Sequence, residues 1–317
     1  MLGKKMDGTG LSDVLLESGL MTSGSLKGVL QGKNYSRAMY CHKALLEGLE
    51  RMLLQKYAML NNNREQFLGL PLHSMEKLRV FSEVRSQANL DCLMSDNAIK
   101  QMMDGYEKFK EEMRGGKHGK TAKLWMSYLD HVWLVLSLIK AVKSNDYQLY
   151  CYCLSQMADL FFSFDGQNYA RYLTFFAVFF ANIEVSQPGA KDLLKRGAFS
   201  VARSFVSGNR CAVDKTIEET FMKHAKSHGG AGGSGAGVSG ILSSYGAYQR
   251  WAKTTHERTR YLEATLSMAD MLDTDSFNLQ KHKECRPSQV RKSQKVVKKV
   301  VEAFQSLMNP FEVDDES

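Results

Sequence analysis

The chain has 317 residues, 44% of them apolar and 24% charged, a balance that excludes an intrinsically disordered protein and leaves ample length for a buried core. Lys and Arg exceed Asp and Glu by 8, a mild basic excess that admits nucleic acid as a partner without requiring it. Only four prolines, beside 17 methionines, favour long helices over a loop-rich all-β fold.

The N-terminal residues lack the apolar run of a signal peptide. Two short helices are expected first, 13–20 capped by Ser12 and 26–31 capped by Ser25. A long helix over 36–60 follows from Ala38, Leu45, Leu49, Met52 and Leu53, which recur at three and four, and the asparagines at 61–63 end it. Pro71 breaks the chain again. Amphipathic helices are then expected over 76–88 and 97–113, the second capped by Ser95 or Asp96 and stopped by Gly115 and Gly116.

Residues 121–142 are apolar nearly all round, the mark of a central helix. Asp130 and His131 inside that run, and the shortness of the apolar run 172–181, argue against membrane spans. Asp146 caps the next helix, to about Phe162. Asp165, Gly166, Gln167 and Asn168 form a turn-and-cap signal before an aromatic helix over 169–180. The aromatics Phe161, Phe162, Phe164, Tyr169, Tyr172, Phe175, Phe176, Phe179 and Phe180 are expected mostly in the core. A short helix from Pro188 and one strand over 199–206 follow.

Asp214 caps a helix reaching about 228, and the seven glycines within 229–240 make a flexible loop. Thr254 and Glu257 form a capping box for a helix to about 272. After a polar linker, Pro287 opens a last helix over 288–308. The expected fold is therefore mainly α, a multi-helix array with at most one or two short strands. Three regions divide it: a helical 1–196, a strand-and-helix region 197–272, and a C-terminal 273–317.

Chemistry concentrates late in the chain. Asp214 and Glu218, four apart, share one helix face. With Asp165 they are candidate ligands for a divalent ion in phosphoryl transfer, although the plainer reading makes Asp214 a helix cap and Glu218 a surface or paired acid. His224 and His228 repeat the spacing and are candidate metal ligands, although Ala225 stands where a zincin helix has glutamate. In the last helix Val290, Val297, Val300, Val301, Phe304 and Leu307 form an apolar stripe. Arg291, Lys292, Lys295, Lys298 and Lys299 load the remaining surface. Such a helix suits phosphates or an acidic partner, or simply docks with a solvated basic face. The run 291–299 also reads as a nuclear-import signal. The six cysteines show no zinc-ligand spacing and read as reduced thiols of an intracellular protein.

Several phrases carry a family resemblance together. They are Gly32-Lys-Asn-Tyr-Ser-Arg37, Lys117-His-Gly-Lys-Thr-Ala122, Phe164-Asp-Gly-Gln-Asn-Tyr-Ala-Arg-Tyr172, Ile217-Glu-Glu-Thr220, His224-Ala-Lys-Ser-His-Gly-Gly230, Ala247-Tyr-Gln-Arg-Trp251 and Cys285-Arg-Pro-Ser-Gln-Val290. From about Gly10 to Phe311 the chain resembles the C-terminal part of a poorly characterised family of transposon-derived animal proteins. It departs from that family at Gly166, where a histidine is commoner, and at Glu219, which replaces glutamine after the matching Asp214 and Glu218. It also carries extra glycine-rich residues at 231–237.

If that family is related to RNase H-like transposases, the resemblance makes Glu218 the last acid of a D-D-E set and the long helical region an insertion before it. The other two acids would lie upstream of Met1, so this chain alone would lack a complete catalytic set. Mg²⁺ or Mn²⁺ enters only under that transposase reading; otherwise no cofactor is expected. The expected partners are DNA, or a protein including a second copy, with no membrane and a nuclear rather than cytoplasmic location. A purely structural helical module is the third reading.

Overall fold

The structure, a computed structural model, describes residues 10–31, 33–61, 69–84, 86–202, 210–213, 245, 287–307 and 309–312. Among these the fold is mainly α, with one pair of short antiparallel strands, as the sequence predicts. The chain forms two compact units, residues 1–132 with 278–317, and residues 133–277.

The first unit is built around α3 (Tyr35–Leu60), following α1 (Leu11–Glu17) and α2 (Ser23–Leu30). Leu45, Leu49 and Leu53 of α3 are fully buried at a spacing of four, which puts them on one face. The expected caps of the first two helices are corrected. Gly10 precedes α1, its N–H donating to Asp13 Oδ2 at 2.9 Å, and Thr22 caps α2, its Oγ1 accepting from the Ser25 N–H. Ser12 and Ser25 lie inside the helices because Gly10 and Thr22 take the extended backbone that a cap requires.

The helix expected over 76–88 is also corrected. It is α4 (Leu72–Glu83), followed by a separate α5 (Gln87–Met94) that Ser86 caps. Next come α6 (Asn97–Gly115) and α7 (Lys120–Ser144). Asp96 is the hub here: it caps α6 through the N–H groups of Ala98 and Ile99, and accepts from Ser74 Oγ and, at 2.8 Å, from Lys77 Nζ of α4. Leu70, Leu93 and Ile99 form a buried cluster in the same region, with Leu78 and Phe81 of α4 packed against it. Gly116 ends α6 at φ +88°, a left-handed cap that glycine adopts without strain. Arg114 then clamps Asp130 of α7 through two hydrogen bonds of 2.9 Å.

The second unit contains α7 from Trp133 onward, α8 (Tyr147–Ser163) and α9 (Gln167–Ala181), with α8 and α9 packed on each other. The short helices α10 (Ile183–Ser186) and α11 (Ala190–Leu193) lead into a wide turn, Leu194–Ala198. Strand β1 (Ser200–Ala202) pairs antiparallel with β2 (Arg210–Ala212); of the strand expected over 199–206, positions 203–206 lie outside the described residues. Buried Arg210 donates to Ser200 Oγ at 2.7 Å and to the Gly197 and Ser200 carbonyls. Tyr150 stacks on Phe199 at 4.7 Å. The aromatic helix is the main correction: Phe162, Phe164, Tyr169, Tyr172, Phe175 and Phe176 are exposed rather than core.

Candidate nucleic-acid interface

The last helix, α12 (Pro287–Leu307), belongs to the first unit. Its register decides which side chains are free. Val297 and Val300 have no exposed surface, and Ala303 and Phe304 are nearly as buried; these four lie on one side at helical spacing. α12 packs on α3 and α1, and Phe304 meets the Trp125 ring of α7 edge-on at 5.1 Å between centroids. Burying each of the larger side chains contributes roughly 1.5–3 kcal/mol. Beyond the helix, Phe311 is buried in turn and its N–H donates to Asn309 Oδ1 at 3.2 Å. Val290 and Val301 sit at the margin of the seam, and Leu307 of the expected stripe is exposed.

Docking fixes the opposite face outward. Arg291, Lys292, Lys295, Lys298 and Lys299 are all exposed. Positions 291, 295, 298 and 299 fall on the side opposite Val297, Val300 and Phe304, with 292 at its edge. Glu302 is the acid among them; Lys298 Nζ approaches its Oε1 at 3.7 Å. Exposed pairs of this kind contribute little and open readily. The structure therefore brings all five sequence-predicted cations onto one docked, solvent-facing surface.

The other predicted site residues are not brought together. Asp165 stands in the turn between α8 and α9 at φ +57°, exposed, its Oδ1 accepting from Gln167 Nε2 at 3.0 Å. That is the role of a turn residue. Asp214, Glu218, His224 and His228 lie outside the described residues. Among the described residues no three His, Cys, Asp or Glu side chains are grouped to hold a metal ion. No helix among them is long and apolar enough to cross a membrane.

Two features were missed in the sequence. One is a mostly apolar cleft of about 290 Å³ in the second unit, lined by Tyr147, Cys151, Phe180 and Lys191 among others. Burial pushes the Cys151 thiol up, so it is held as the inert thiol rather than the thiolate. The other is the buried Asp96 cluster, whose Lys77 and Ser74 lie about twenty residues before their partner and give no local signal. No curated protein and no solved structure matches the chain. The model of a family described as a domain of unknown function, DUF8702, matches residues 1–317, and the chain belongs to that family.

Proposed function

We propose that this chain is a transposon-derived helical protein that binds nucleic acid through the basic face of α12 and lacks a complete catalytic set. The observation that carries the reading is the arrangement of five exposed cations on a helix whose other side is locked into the core. A cationic face on a docked helix is preorganised; its cations need no folding step before meeting phosphate. From Arg291 to Lys299 the face runs about 12 Å along the helix axis. Each strand of duplex DNA carries one phosphate per ~3.4 Å of its axis, so about three or four phosphates fall within that length. Contacts of this type are sequence-independent and position a protein on a duplex rather than read it. The basic run 291–299 also supports a nuclear location.

The test is binding of a fluorescent DNA duplex at low salt by the full chain and by a variant with Arg291, Lys292, Lys295, Lys298 and Lys299 all changed to Gln. The reading expects the variant to lose binding while retaining the far-UV helical signal. Equal binding by the two proteins would overturn it.

A further inference from the structure

Helix α9 turns Tyr169, Tyr172, Phe175 and Phe176 to solvent, while Phe179 and Phe180 are half-buried. Ala170 is fully buried, and Ala177 and Ala181 line the cleft against α8. The other side carries Tyr172 and Phe175 at 68% and 67% exposure, with Phe176 at 43%. A monomer gains nothing by leaving this much aromatic surface wet; such patches mark interfaces. We propose that this face is a self-association surface, against which the α9 of a second copy packs antiparallel across a two-fold axis.

The occupant follows from the pattern of the seam. Tyr172, Phe175, Phe179 and Asn182 are spaced three, four and three residues apart, the spacing of helices that interlock side by side. That spacing reads identically from either end. A two-fold axis between 175 and 179 therefore places Phe175 against the second copy's Phe179, and Tyr172 against its Asn182. The centre of the seam is aromatic against aromatic, and each end pairs a phenol with an amide. Phe175 and Phe179 already stack at 6.4 Å within one copy, which offers the partner a continuous aromatic surface. The only charged residue of α9 is Arg171, beside the seam, so no like charges oppose across it. At 150–250 Å² per aromatic, the exposed parts of Tyr172 and Phe175 in the seam, with Tyr169 and Phe176 on its flank, amount to roughly 500 Å² per copy. A pair that covered seam and flank alike would bury up to about 1,000 Å², the lower bound for a specific interface and the area of a dimer that dissociates on dilution. An isologous contact of this kind closes on itself and yields a dimer rather than a filament.

Light scattering on the full chain, with far-UV circular dichroism as the folding control, tests the proposal. The wild type is expected to be a dimer that dissociates on dilution. Phe175→Glu and Phe179→Lys are each expected to be monomeric with the helical signal intact, and mixing them is expected to restore a dimer by pairing the two new charges. Should Phe175→Glu lose its helical signal, Tyr172→Lys at the end of the seam is read in its place, with a monomer expected. A monomeric wild type overturns the proposal, as does a dimer that survives the folded seam variants. Two monomeric variants that fail to pair on mixing overturn the antiparallel register.

Discussion

Val300 lies directly over Gly48: a Cβ on that glycine would stand 2.7 Å from Val300 Cγ1. The missing side chain lets α12 approach the middle of α3, and the β-branched valine cannot rotate away cheaply. Two effects oppose each other in Gly48→Ala. Helix propensity gains about 1 kcal/mol, while overpacking costs about 1–3 kcal/mol. The clash is expected to win by on the order of 1 kcal/mol. Gly48→Leu is expected to destabilise further and to release α12. Urea melts of the two variants check both directions.

The Asp96 carboxylate is held well below its ordinary 3.8, down to about 2. The hydrogen bond from Lys77 is the largest cause, burial opposes it, and Ser74 and the Ile99 N–H add to the lowering. A carboxylate depressed in the folded state stabilises it above the unfolded value, and that contribution disappears as pH falls through the folded one. The stabilising effect of Asp96 should therefore be complete above about pH 4 and fade towards pH 2. Thermal melts of wild type and Asp96→Asn between pH 6 and 2, values spanning that window, should show a gap that narrows as acid is added.

His42 Nδ1 meets the Tyr128 hydroxyl at 2.7 Å, and burial holds the imidazole below its ordinary 6.5. The sign is that of a base kept neutral. The unfolded chain binds the proton more readily, so stability is present above 6.5 and declines as pH falls towards the folded value. His42→Gln should flatten that part of the stability profile. Tyr128→Phe should cost about 1 kcal/mol near neutral pH by removing the hydroxyl from the pair. Denaturant melts across pH 5 to 8, the range in which histidine titrates, measure both.

Local signals carried most of the helical fold. The 3.6-residue rhythm of α3, the Asp96 and Asp146 caps and the left-handed Gly116 each act within a few residues, and each stands where the sequence puts it. The basic face of α12 was legible for the same reason, since spacing alone separates Val297, Val300 and Phe304 from the cations. Whether an apolar face meets its own chain is a tertiary matter, and there the reading failed. Hydrophobicity placed Tyr172 and Phe175 in the core, yet α9 meets α8 through other residues, Phe180 against Tyr147 among them. Ser74 and Asp96 are likewise paired by packing across 22 residues, beyond any pattern a helix repeat imposes.

A non-catalytic binding protein gives a definite outcome with metal ions. Mg²⁺ and Mn²⁺ should leave the melting temperature unchanged and should not support nicking of supercoiled DNA, and Glu218→Gln should behave as wild type in both assays. Metal-dependent nicking that Glu218→Gln abolishes would restore the transposase reading.

The salt dependence of DNA binding tests the central claim most directly. Counterion release by three or four phosphate contacts predicts a slope of about −3 in log Kobs against log[salt], a loss approaching a hundredfold between 50 and 200 mM. Replacing Arg291, Lys292, Lys295, Lys298 and Lys299 by Gln should remove most of that slope. A variant with the wild-type slope and affinity would contradict the assignment of the α12 face.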